Sequence, residues 1–154
     1  ESTLLALATD GSCDVFTIAD EMLARGWFVQ PQMGYRGAPP TLHLTLSAAT
    51  APSVPDFVVA LRDAVAAARA AGPVSVDPAL AGLIGSLDPA TLDEEGFAGL
   101  LAATGLAGDG GISLPERMAP LNALLDLCPA PLREALLLGV LDRLSRPTVP
   151  DGVS

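Results

Sequence analysis

The chain has 154 residues, half of them apolar, which suits one compact domain with a sizeable core. Its eight basic residues are all arginine and stand against eighteen acids, a net charge of −10 that offers no broad positive surface to a phosphate backbone. Nucleic acid is therefore not an expected partner, and no membrane span is expected either. The window from Phe57 to Val74 is interrupted by Arg62, Asp63 and Arg69, and Leu136 to Leu141 falls far short of the roughly 20 apolar residues a spanning helix needs.

The first element is "TLLALAT", a continuous apolar run of strand length closed by the turn signal "DGS". A helix follows, because Val15, Phe16, Ile18, Ala19, Met22 and Leu23 recur at helical spacing, with Asp14 or Ser12 placed to cap it and Gly26 to end it. "WFVQPQ" is extended, and Pro31 cannot donate to a central ladder, so this strand lies at an edge or ends there. "TLHLTLS" alternates, with Leu42, Leu44 and Leu46 on a core face and Thr41, His43, Thr45 and Ser47 on a polar one. "SVPD" opens a second helix, with Ser53 as cap and Asp56 as capping-box partner, and Phe57, Val58, Leu61, Val65 and Ala68 form its buried stripe.

Strand, helix, strand, strand, helix with short connections predicts an α+β fold: a small antiparallel or mixed sheet with helices packed on one face. Several C-terminal helices follow, so the expected organisation is an α+β core over residues 1–75 with an acidic helical extension over 76–154, one structural domain overall. The extension carries eleven acids and four arginines, a net of −7 out of the total of −10. It reads as short helices separated by "LDP" and "GDGG", ending in "PLNALLDL" and "PLREALLLGVLDRLSR". Each of these last two opens with an early proline, and the second is closed by Arg143, Arg146 and Pro147. "GDGG" has too few ligands for a calcium loop and is expected to be a hinge or a disordered loop.

Little in the chain carries catalytic chemistry. The one histidine, His43, stands in a strand; there is no GxSxG, no Walker loop and no GxGxxG, so no catalytic residue and no metal site are expected. A strand histidine satisfied by a hydroxyl or a water is the plainer role for His43. Cys13 and Cys128 lie far apart without CxxC or Cys/His spacing and no secretory signal is visible. Reduced structural thiols in a cytoplasmic protein are expected rather than a disulfide or a metal pair. The chain contains no lysine, so it has no ε-amine to hold pyridoxal phosphate covalently, and no cofactor is expected in this chain by itself.

"LLALATDGSCDVFTIADEMLARGWFVQPQ", followed by "PPTLHLTLS" and a helix, resembles the C-terminal small domain of fold-type I pyridoxal-phosphate-dependent decarboxylases, most closely the sphingosine-1-phosphate lyase branch. The resemblance covers Leu4 to about Ala71, and "LLLGVLDRLSRP" is similar to the last helix of that branch. Val76 to Leu114 looks like an insertion without a counterpart. The resemblance implies a carbon–carbon lyase or decarboxylase whose large domain, in the same polypeptide, holds the cofactor lysine and the phosphate cup. The small domain would close over that site, and the whole enzyme would be a homodimer. Many relatives carry an arginine in the strand equivalent to "TLHLTLS" to grip a carboxylate. His43 stands there instead, which favours a phosphorylated substrate without a carboxylate.

On that reading Tyr35 and Arg36, in the loop "QMGYRGAPP" between the two strands, are candidate substrate-binding residues together with His43. A guanidinium on a Gly-flanked loop can bind phosphate or carboxylate, and a tyrosine can stack or donate a hydrogen bond. The plainer reading of the loop is a hairpin turn with a solvated arginine. The competing reading of the whole chain is a free-standing acidic α+β interaction module. An abrupt start at Glu1 with a strand beginning at Thr3 suggests a fragment of a longer protein, although a processed or retagged protein would look the same. The Leu-, Ala-, Gly-, Pro- and Arg-rich composition suggests a high-GC bacterial source.

Overall fold

The computed structural model describes residues 3–91, 93–103, 106–108, 111–112 and 114–145. Its first half runs β1 (Leu4–Leu7), α1 (Val15–Ala24), β2 (Gln30–Gln32), β3 (Thr41–Thr45) and α2 (Val54–Ala71), the order expected from the sequence. The three strands form an antiparallel sheet in the order β1-β3-β2. β2 is an edge strand, as the missing N–H of Pro31 requires. The register pairs Leu5 with Leu44 and Leu7 with Leu42, and sets His43 between Ala6 and Gln30. Leu42 is 2% exposed on the face that joins the core, while His43 is exposed on the other.

Local chemistry explains α1. Asp14 is its N-cap, with the carboxylate accepting the Thr17 N–H at 2.7 Å and the Thr17 hydroxyl at 2.9 Å; Ser12 turns instead to Asp10. At the far end Gly26 takes φ 81° and the Trp27 N–H reaches back to the Met22 carbonyl at 2.9 Å, which stops the helix and sends the chain toward β2. Val15, Phe16, Ile18 and Met22 are buried. Leu23, expected with them, is exposed, because it lies a turn's fraction off the stripe that faces the sheet.

α2 differs from expectation at its start and in one member of its stripe. A 3-10 turn over Ala51–Ser53 leads into it, so Ser53 already has helical backbone angles and its hydroxyl makes no cap bond. The residues that pack inward are Phe57, Ala60, Leu61, Ala64, Val65 and Ala68, a regular i, i+3, i+4, i+7 series. Val58 falls outside that series and is exposed. Ala64 and Ala68 are fully buried, and their small side chains let α2 lie close against α1. Leu46 lies beyond the end of β3 and is exposed too.

The second half contains α3 (Pro78–Ser86), a 3-10 turn (Pro89–Thr91), α4 (Glu94–Ala103), β4 (Ala107–Gly108), β5 (Gly111–Ile112), α5 (Ala119–Leu127) and α6 (Ala130–Ser145). Ala107 pairs with Ile112 and Gly108 with Gly111 in an antiparallel ladder, while Asp109 and Gly110, the middle of the "GDGG" stretch expected to be a hinge or a disordered loop, lie outside the described residues. Arg146 and Pro147, expected to close the last helix, lie outside the described residues.

The chain groups into two compact units. One comprises the chain through Ala81 together with Arg117–Leu127, and the other comprises Gly82–Glu116 and the chain from Cys128 onward. α5 thus belongs with the sheet, although 35 residues of the other unit's sequence, Gly82–Glu116, precede it. Carboxylates hold it there. Asp20, 8% exposed on α1, accepts the Met118 N–H at 3.0 Å and the Ala119 N–H at 2.9 Å, the otherwise unpartnered donors at the start of α5. Arg117 adds an ion pair to Glu21 at 2.7 Å. Hydrogen bonds from Arg25 and Arg117 hold the Glu21 carboxyl below the usual glutamate range. Asp14 does similar work for the chain leaving α2, accepting the Val74 N–H at 2.9 Å.

In the second unit Phe97, Leu100, Leu101, Leu106, Leu132 and Leu136 are buried. α6 lies close on Phe97. A Cβ added to Gly139 would come within 2.6 Å of the Phe97 ring, and the Arg143 guanidinium sits 4.4 Å from the ring centroid while pairing with Glu94. Burial pushes the Cys128 thiol up, against the opposing charge of Arg133.

Candidate functional site

The loop between β2 and β3 closes as a two-residue hairpin. The Tyr35 N–H donates to the Ala38 carbonyl at 3.1 Å and the Ala38 N–H to the Tyr35 carbonyl at 2.9 Å. Between them Arg36 takes φ 49° and Gly37 φ 85°, two left-handed residues in succession, as a type I′ turn demands. "GYRG" is therefore a turn, and an unusual one. The first left-handed position favours Asn, Asp or Gly, and a residue such as arginine is held there at a cost of about 1 kcal/mol.

The side chains make a small exposed platform. The Arg36 guanidinium lies 5.1 Å from the Tyr35 ring centroid, and Tyr35 is 66% exposed. A cation resting on an aromatic face at a hairpin tip can receive an oxyanion while the ring offers an apolar surface and a hydroxyl. The base of the hairpin is fixed, since the Gly34 N–H donates to Asp126 Oδ1 on α5 at 2.6 Å.

His43 lies elsewhere on the same strand pair. It lines a cavity of about 330 Å³ with Trp27, Phe28, Gln30, Leu44 and Phe57, among others, and neither Tyr35 nor Arg36 borders it. Three predicted site residues thus divide into a charged tip and a cavity with no charged lining. The aromatic wall of the cavity was not anticipated. Trp27 meets Phe57 edge to face at 5.2 Å, and Phe28 is 81% exposed at its margin. The signal was the "GWF" run directly after the helix-ending Gly26.

Among the described residues no cluster of three or more His, Cys, Asp or Glu side chains is arranged to hold a metal ion, and no helix is long and apolar enough to cross a membrane. The chain has no lysine and so offers pyridoxal phosphate no ε-amine for the internal linkage such enzymes use.

The fold defines a small α+β protein: a three-stranded antiparallel sheet backed by helices, continued by a helical region with its own two-stranded ladder. Residues 78–143 match the family described as "Pyridoxal-dependent enzyme, C-terminal putative HTH domain". The chain is in this respect similar to the C-terminal region of pyridoxal-dependent enzymes, over somewhat less than half of its length. No curated protein and no solved structure matches it. The matched segment includes most of the stretch from Val76 to Leu114 that looked like an insertion, so that stretch has a counterpart in such enzymes after all.

Proposed function

We propose that these 154 residues form the non-catalytic C-terminal part of a pyridoxal-phosphate-dependent lyase or decarboxylase, similar to the sphingosine-1-phosphate lyase branch. Residues 1–75 are its small-domain core and 76–154 the acidic helical extension. The observation that carries the reading is the match over residues 78–143. It is supported by the element order through α2; the chain has no lysine, so on this reading the cofactor is held by a large domain elsewhere in the polypeptide. In the whole enzyme, a cytoplasmic bacterial homodimer on this reading, the small domain closes over the active site and the hairpin tip meets the substrate. The alternative of a free-standing interaction module has no comparable support.

Nucleic acid is not the partner in this proposal, despite the helix-turn-helix description of the matched family. A reading helix needs basic side chains toward the phosphates and base edges. α4 opens with Glu94 and Glu95 and carries no basic residue, and the matched segment as a whole has nine acids and three arginines.

Arg36 is the substrate-facing cation. In the full-length enzyme Arg36→Ala and Arg36→Gly are both expected to lower kcat/KM, by the equivalent of about 1.5 to 3 kcal/mol for one charge-assisted hydrogen bond. Arg36→Gly separates the guanidinium from the turn. Glycine adopts the left-handed angle freely, so the stability of the 154-residue chain should hold. Steady-state kinetics on phosphorylated and carboxylated amines check this. Unchanged kcat/KM across both classes would leave the hairpin as a turn only.

A further inference from the structure

We infer that α5 positions the Tyr35–Arg36 hairpin, with Asp126 as the positioning residue. The functional weight of this inference rests on the substrate-binding reading of the hairpin, while its structural content does not. α5 is gripped at both ends by carboxylate-to-backbone bonds that reach across long sequence separations. At its start Asp20 of α1 accepts the Met118 and Ala119 N–H groups, and near its end Asp126 accepts the Gly34 N–H at 2.6 Å. One helix therefore ties the best-buried face of α1 to the base of the hairpin.

The joint at Gly34 is close. A Cβ there would stand 2.9 Å from the Ala38 carbonyl oxygen and 3.4 Å from Asp126 Oδ1, so Gly34 is the residue that lets the two hairpin arms and the carboxylate meet. The next residue but one, Arg36, is held at a left-handed angle that a free loop would abandon. Asp126 fixes the arm leading into that angle and thereby the direction of the Tyr35 and Arg36 side chains. α5 lies within the segment matched to pyridoxal-dependent enzymes, and the chain on both sides of Arg117–Leu127 belongs to the other compact unit.

The test is amide hydrogen exchange in the 154-residue chain, read residue by residue. Asp126→Ala is expected to speed exchange at Gly34, Tyr35 and Ala38 by about tenfold, the loss of one charge-assisted hydrogen bond in local protection. The Trp27 and Gly72 amides, bonded to the Met22 and Ala68 carbonyls, should stay as they are. Asp126→Asn keeps an accepting oxygen and should restore the hairpin to near wild-type protection. Gly34→Ala presses the same joint from the other side and should loosen the same three amides, which covers the case of an Asp126→Ala chain that does not fold. Unchanged hairpin amides in these variants, or an equal loss of protection at Trp27 and Gly72, would overturn the inference. Kinetics of the full-length enzyme separate it from the reading it rests on. If Arg36→Ala is silent while Asp126→Ala still loosens the hairpin, the substrate reading fails and the positioning role stands. If Arg36→Ala lowers kcat/KM and Asp126→Ala leaves the hairpin fixed, the positioning role fails alone.

Discussion

Replacing Leu42 with alanine is expected to destabilise the chain by about 2 to 5 kcal/mol, the range for a leucine truncated where the surroundings cannot collapse. Leu42 is 2% exposed on the central strand, paired on one side with Leu7 and on the other with Pro31, and it belongs to the cluster built from α1, α2 and α5. Leu44 is two residues along on the same face but only partly buried, and it borders the cavity, so Leu44→Ala should cost less. Denaturant midpoints measure both. A midpoint that barely moves for Leu42→Ala would mean that the register is wrong and the His43 face is the buried one.

The second large effect belongs to a charged residue. Asp20→Ala should cost about 2 to 4 kcal/mol, because the Met118 and Ala119 N–H groups lose the carboxylate that satisfies both and have little access to water. Asp20→Asn retains one accepting oxygen and should lose less. Glu21→Gln is the control: its ion pairs with Arg25 and Arg117 lie nearer the surface and should be worth well under half as much. Thermal unfolding followed at Trp27, the one tryptophan, reports all three. An Asp20→Ala chain as stable as Glu21→Gln would show that α5 is not secured by that carboxylate.

These two residues show what the sequence could and could not disclose. The alternation of "TLHLTLS" announces Leu42 as a core residue, since a strand's period and its polar partner residues are local facts. Pro31 announces an edge strand, and Gly26 the end of α1, for equally local reasons. The corrections arise where tertiary geometry decides. Leu23 and Val58 are apolar at nearly the right spacing, yet both are exposed, because the inward faces of the helices are the ones that meet where Ala64 and Ala68 of α2 lie against α1. Ser53 has the composition of a cap but follows a 3-10 turn, which already places it in helical conformation.

Asp20 and Asp126 bond to backbone groups 98 and 92 residues away, and no local pattern marks an aspartate for that task. For the same reason no local pattern shows which helix of the extension groups with the sheet, and it is α5 that does. At the candidate site the "GYRG" stretch marked a turn and a cation. The cavity beside His43 needed the meeting of Trp27 with Phe57, which only folding brings about.

The most direct test of the proposed function compares cofactor content in two purified proteins: the longest natural polypeptide containing these residues, and the 154-residue chain by itself. After gel filtration to remove unbound pyridoxal phosphate and then borohydride reduction, the long polypeptide should retain the cofactor on a lysine, and the 154-residue chain, lacking lysine, should retain none on any side chain. A long polypeptide that binds no pyridoxal phosphate would contradict the account, as would a 154-residue chain that keeps the cofactor on a residue other than its terminal amine through the same treatment.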